Sequence, residues 1–195
     1  MPVTTHLIYF SPTSTTKMIV EQIAEGIGDT SVAHHDLTRL KGRLDLRLDD
    51  GLAVIGVPVY AGRVPEICLE RLGGLSASGV PTVLVVLYGN RAFEDALIEL
   101  RDVAVAKGFT VIAAGAFIGE HSYSTTTQPI AAHRPDPADL AKAREFGSLI
   151  ARRLRAGIGV AMPVIPGDVP YRERPPLGGV APETDPGLCT LCGTC

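Results

Sequence analysis

Short apolar runs rich in β-branched residues, each followed by a stretch of helical periodicity, recur along the first 156 residues and constrain the fold more than any other feature. Residues 52–58, 80–88, 109–118 and the N-terminal run 3–10 are bounded by Gly, Pro, Ser or Asn and read as strands buried on both faces. A weaker strand falls at 31–37, where Val32, His34 and Asp36 alternate with Ala33, His35 and Leu37. Between strands, Val20, Ile23, Ala24 and Ile27 follow the spacing i, i+3, i+4, i+7, and Phe93, Ala96, Leu97, Leu100 and Ala104 keep one face over three turns. The helix after the third strand is expected to open near Pro65, whose fixed φ suits a first turn, and to bury Ile67, Cys68, Leu69 and Leu72. The last helix opens with Asp136 as N-cap and Pro137 behind it, and presents Ala143, Phe146, Gly147, Ile150 and Leu154 on one side. Five β-α repeats joined by right-handed crossovers imply a five-stranded parallel sheet covered by helices on both faces, an α/β three-layer sandwich rather than a barrel.

With 195 residues, 46% of them hydrophobic and 20% charged, the chain has material for one well-packed domain and a tail. A net charge of −3 supplies no basic field to attract nucleic acid or an anionic membrane surface, so neither is an expected partner. The apolar runs fall far short of the roughly 20 residues that cross a bilayer. No positively charged stretch precedes the N-terminal apolar run, as it would in a signal peptide, and the expected location is cytoplasmic. Beyond the domain at 1–156, seven prolines and six glycines in residues 157–188 describe a linker. Within it Val160, Met162, Val164 and Ile165 are expected to rest on the domain, while 171–176 extends away. Residues 189–195 form a cysteine-bearing tail.

In an open parallel sheet the ligand lies beyond the carboxyl ends of the strands, where the winding reverses. Four loops qualify: 11–17, 58–64, 88–93 and 119–128. The first carries five hydroxyls, Ser11, Thr13, Ser14, Thr15 and Thr16, in six residues running into a helix. Hydroxyls, free N–H groups and the positive end of a helix dipole suit a phosphate, although the same cluster also serves as a plain Ser/Thr cap. Neither G-x-G-x-x-G nor G-x-x-x-x-G-K-[ST] occurs, which disfavours dinucleotide and nucleoside triphosphate sites.

This loop resembles the phosphate loop of the flavodoxin family, Thr or Ser, x, Thr, Gly, x, Thr, with Ser11, Thr13 and Thr16 in matching positions. Ser14 stands where that family has glycine, an exchange expected to fit only a backbone that avoids positive φ. The resemblance implies a flavodoxin-like strand order of 2-1-3-4-5, FMN as cofactor and the hydroxyl loop on its phosphate. It assigns Pro58, Val59, Tyr60, Ala61 and Gly62 to the flavin, with Tyr60 stacked on the ring or else covering a sheet edge, and the Ala61–Gly62 peptide turned toward N5. It assigns Tyr88, Gly89, Asn90, Arg91 and Phe93 to the pyrimidine end, held by backbone donors and flanked by an aromatic. Glu120 and His121 close the rim, either as an acid/base pair or, the preferred reading, with the histidine tuning the flavin or bordering a partner surface; no catalytic residue is assigned, and His34 and His35 flank the second strand without a role. An apolar, uncharged pocket would disfavour a charged reduced ring, so a low-potential couple is expected.

The tail reads Cys189-x2-Cys192-x2-Cys195, three of the four positions of the bacterial ferredoxin run C-x2-C-x2-C-x3-C-P. A [4Fe-4S] cluster is expected only if a fourth ligand is supplied; Cys68, on a helix face, reads as a buried structural thiol. The chain as a whole resembles the N-terminal flavodoxin part of flavodoxin/[4Fe-4S] ferredoxin fusion proteins, truncated within the first cluster motif. A site completed by another chain and a zinc site are the alternatives for the tail. The implied function is FMN-dependent electron transfer with a ferredoxin-like or reductase partner. An NAD(P)H-dependent FMN or quinone reductase and a flavin-free binding module are the competing readings.

Overall fold

The computed structural model describes residues 4–28, 31–157, 161–174 and 185–190. Five parallel strands, β1 (Thr4–Tyr9), β2 (Ser31–Asp36), β4 (Leu52–Pro58), β6 (Pro81–Tyr88) and β7 (Thr110–Ile118), form one sheet in the order β2-β1-β4-β6-β7. Counted within that sheet alone the order is 2-1-3-4-5, the flavodoxin-like arrangement. A second sheet of two short parallel strands, β3 (Leu46–Leu48) and β5 (Leu75–Ala77), lies outside the sequence expectation. Each has three residues, too few to leave a periodic signal.

The central strands β4 and β6 are buried along nearly their whole length, because helices cover both faces. One face carries Leu7, Tyr9, Val54, Val83 and Val85 under α1 (Thr15–Ile27) and α4 (Pro137–Arg155). The other carries Ile8, Phe10, Ile55, Leu84 and Val86 under α2 (Glu66–Arg71) and α3 (Ala96–Ala106). Edge strand β2 is exposed on alternate residues, which is why its pattern was the faintest.

Helix ends follow local chemistry. Asp136 caps α4 by accepting from the N–H groups of Ala138 and Asp139, and Asp139 returns the bond to the Asp136 N–H. Arg134 grips the Asp139 carboxylate, holding it below the usual carboxylate range. Helix α2 buries Cys68, and Leu72 is buried in the tight turn that follows it, but Leu69 is only partly buried and Ile67 is exposed: a helix of six residues has only one narrow inward stripe. Helix α3 begins at Ala96, after Phe93, because Glu94 takes a positive φ that interrupts the helical pattern.

The segment after α4 differs most from expectation. Ile165 is buried in the core of the α2/α3 face, whereas Met162 and Val164 are exposed and Val160 lies outside the described residues. Of the 171–176 stretch, residues 171–174 do not extend away, and 175 and 176 lie outside the described residues: Tyr171 packs on the core, and Arg172 and Arg174 bond to acidic residues beside α3. Buried or half-buried carboxylates on α3 bind these cationic and phenolic groups, a pairing that composition alone conceals.

Candidate functional site

All five strands run parallel, so the loops after β1, β4, β6 and β7 leave the same edge of the sheet and enclose one cleft. Its outer part has a volume of about 420 Å³ and is lined by Val59, Tyr60, Ala61, Gly62, Tyr88, Gly89, Arg91, Ala92, His121, Ser122 and Tyr123. An inner part of about 130 Å³ is lined by Pro12, Thr13, Thr15, Thr16, Pro58, Leu87, Gly119 and Glu120 together with Val59, Tyr60, Tyr88, Gly89, His121 and Ser122. The shared residues make the two parts one continuous groove, with hydroxyls and a helix start at one end and aromatic side chains at the other.

At the inner end Thr13 Oγ1 and Thr15 Oγ1 lie 3.0 Å apart and Thr16 is buried. Of the first N–H groups of α1, that of Lys17 is taken by Ser11 Oγ, while those of Thr15 and Thr16 have no acceptor within the helix. Ser11 takes a different role from the expected one. Its Oγ accepts from the Lys17 N–H at 3.0 Å and its own N–H donates to Thr38 Oγ1 at 2.9 Å, so it braces the loop instead of facing the groove. Ser14 turns the chain at φ 64°, ψ −4°, donating its N–H to the Ser11 carbonyl at 3.1 Å. The expectation that this backbone avoids positive φ is therefore corrected, and the exposed Ser14 side chain lies outside the lining.

The outer wall is the turn Tyr60–Arg63, closed by reciprocal backbone bonds of 3.0 Å, with Ala61 at φ 50° and Gly62 at φ 77°. Two successive positive φ values make it a type I′ turn. Tyr60 is half-exposed, and burial of its inner side pushes its phenol up. The opposite wall contains Gly89, where any side chain would collide with the His121 ring. His121 accepts from the Tyr123 N–H at 3.0 Å, and the two rings sit 5.0 Å apart.

Some expected residues have other duties. Asn90 shapes a turn at φ 61°, and Phe93 packs edge-on against Tyr88 at 5.5 Å and onto the core, so neither lines the cleft. Glu120 accepts from the His133 N–H at 2.9 Å, and that bond holds its carboxyl below the usual range; it does not pair with His121. The lining is not uncharged as expected, since Arg91 and Glu120 reach it, as solvent-facing loops permit. Tyr123 and Ser122 were missed; an aromatic within the fourth loop was the signal that could have found Tyr123.

In the tail, Cys189 donates its N–H to the Asp185 carbonyl at 3.0 Å, while Cys192 and Cys195 lie outside the described residues. Among the described residues no group of three or more His, Cys, Asp or Glu is arranged to hold a metal ion, and no helix is long and apolar enough to cross a membrane. Cys68 is fully buried, and desolvation pushes its thiol up to about 12, which leaves it an inert packing residue.

Sheet order, helix placement and the rim cleft define a flavodoxin-like α/β fold. Among solved structures the chain is similar to a flavodoxin from the domain Archaea, at 16% identity and TM-score 0.50 over 78% of this chain and 99% of that one. It is similar also to the Fusobacterium nucleatum flavodoxin bound to flavin mononucleotide, at 16% identity and TM-score 0.52 over 78% and 98%. Rubredoxin:oxygen oxidoreductase from Desulfovibrio gigas shares the fold at 17% identity and TM-score 0.54, over 81% of this chain and 38% of that one. No family model matches the chain, and no curated protein sequence matches it.

Proposed function

We propose that this chain binds FMN in the rim cleft and serves as an electron-transfer flavoprotein. The observation that carries the reading is the continuity of a small hydroxyl-lined compartment at a helix start with a larger one lined by Tyr60, Tyr88 and Tyr123. That donor set fits a phosphate at one end and a flat aromatic ring at the other, and the outer volume falls in the range of ligand pockets, roughly 300–1,000 Å³. Thr13, Thr15 and Thr16, with the N–H groups of Thr15 and Thr16 at the start of α1, would hold the phosphate. Tyr60, the Ala61–Gly62 turn, Gly89 and Tyr123 would hold the ring. FMN supplies the one- and two-electron chemistry; the chain binds and orients it and sets how much water reaches it. The similarity to proteins named as flavodoxins, one of them bound to flavin mononucleotide, supports this reading.

The proposed partner is a redox protein of ferredoxin-like or reductase type, with Cys189, Cys192 and Cys195 contributing to a [4Fe-4S] site if a fourth ligand is supplied. The proposed location is cytoplasmic. The deciding experiment is an anaerobic visible spectrum of the purified chain before and after FMN, then after iron and sulfide, with iron counted per protein. Stoichiometric flavin bands support the reading, and protein that takes up no FMN overturns it. Thr15→Val is expected to weaken FMN binding about tenfold while leaving riboflavin binding unchanged, because one charge-assisted hydrogen bond is lost only where a phosphate is present. Sustained NAD(P)H oxidation with a quinone would instead favour a reductase.

A further inference from the structure

The outer wall of the cleft is buttressed by a segment that the sequence places in the linker. The Tyr60–Arg63 turn carries two consecutive positive φ values, one of them on alanine, a geometry that a free peptide populates poorly. It is held from behind at both central and terminal residues. The Gly62 carbonyl accepts from the Asp95 N–H at 3.0 Å, and the Glu94 carboxylate fills the space where a Gly62 side chain would stand. Glu94 in turn accepts from Arg91 through Oε1 at 2.6 Å, and its buried Oε2, which accepts no hydrogen bond among the described residues, is met by the Arg172 guanidinium as an ion pair.

The same segment grips the neighbouring residues. Asp95 accepts from the backbone N–H groups of Asp168 at 2.9 Å and Arg172 at 2.8 Å. Arg63 donates to the Arg172 carbonyl at 2.6 Å, lies over the Tyr171 ring at 4.6 Å and forms a two-pronged pair with Glu99. Residues 168–174 therefore touch both Glu94 and Arg63, the two groups that fix the turn. Without Arg172, the Glu94 carboxylate, largely buried against Gly62, would keep Arg91 alone as its cation, and Arg91 is mostly exposed and screened.

We infer that Arg172 is a positioning residue for flavin binding: by neutralising and holding Glu94 against Gly62, it fixes the Ala61–Gly62 turn that forms the ring-facing wall of the cleft. This inference rests on the flavin reading above, and its ligand is the isoalloxazine end, not the phosphate. Docking of the strap and affinity for the ring are thus coupled.

The test compares wild type, Arg172→Gln and Arg172→Lys in the full chain, titrated separately with FMN and with riboflavin, alongside the thermal midpoint of each ligand-free protein. Arg172→Gln is expected to weaken both ligands equally, by about three- to tenfold, with Arg172→Lys recovering most of the loss. The thermal midpoint should move little, since Arg172 is half exposed. Unchanged affinities, or a loss confined to FMN, would overturn the inference. Hydrogen exchange of the Arg63 and Asp95 amides in the ligand-free chain gives an independent readout. Exchange at least threefold faster in Arg172→Gln supports the positioning role even if wild type binds no flavin; unaltered exchange sinks it.

Discussion

Ser14 occupies the left-handed region without being glycine, and it has company. All six positive-φ residues other than glycine among the described residues, Ser14, Ala61, Asn90, Glu94, Ala131 and His133, lie in loops at the cleft edge of the sheet. Each costs on the order of 1 kcal/mol, and such strain persists where surrounding contacts over-determine the backbone, as around a binding site. Ser14→Gly is accordingly expected to leave stability unchanged or raise it by up to about 1 kcal/mol, and Ser14→Val to lower it by about 1–2 kcal/mol, read from urea midpoints. Thr13, Thr15 and Thr16 line the cleft, a placement legible in the sequence because hydroxyls crowd the start of an amphipathic helix. Ser11 was misjudged because its Oγ caps Lys17, six residues on, a bond that only the folded loop brings within reach.

At the scale of elements, two contacts carry testable weight. Helices α1 and α4 meet backbone to backbone, since a methyl group on Gly147 would collide with the Ile23 carbonyl and one on Gly26 with the Arg144 carbonyl. Gly147→Ala should force the helices apart and cost about 1–3 kcal/mol in denaturant unfolding. On the opposite face of the sheet, edge strand β2 is tied to β1 by His35, whose ring stacks on His6 at 5.4 Å with Nε2 3.1 Å from His6 Nδ1. Burial lowers both imidazoles; Asp50 pulls His6 part of the way back, and His6 and His34 lower His35 further. A folded-state pKa below the unfolded value means the unfolded chain takes the proton first. The stabilisation is therefore complete above about pH 6.5 and is lost as pH falls through the depressed folded-state values. Thermal midpoints should drop between about pH 7 and 5, and His35→Asn should flatten that dependence. The sequence exposed β2 only as a faint alternation, because an edge strand buries one side; the histidine pairing depends on register across β1.

For the whole molecule, the strap from Ile165 to Arg174 closes one side of the domain through a buried carboxylate. Glu99 accepts from Arg63, Arg174 and the Val64 N–H, and Arg63 is itself only 12% exposed. Arg63→Ala should cost about 3 kcal/mol in chemical denaturation, because the carboxylate keeps a weaker partner in a dry setting; adding Glu99→Leu should recover part of the loss. Tyr171 reports on the same docking: burial and its bond to Asp102 push its phenol up to about 12, and a detached strap would return it toward the ordinary value near 10 in an ultraviolet titration. The order of strands and helices, the faces they bury and the edge where the cleft forms were all determined by local periodicity and by the fixed handedness of β-α-β crossovers, which operate within a few tens of residues. What the tertiary structure alone decided was the handling of charge and of irregular backbone: which hydroxyls face the cleft, which carboxylates lock the Tyr60–Arg63 turn, and that a proline-rich stretch returns to the rim. Those outcomes depend on ion pairs and hydrogen bonds between groups from 6 to 109 positions apart, and such irregularly spaced pairings leave no period in a sequence.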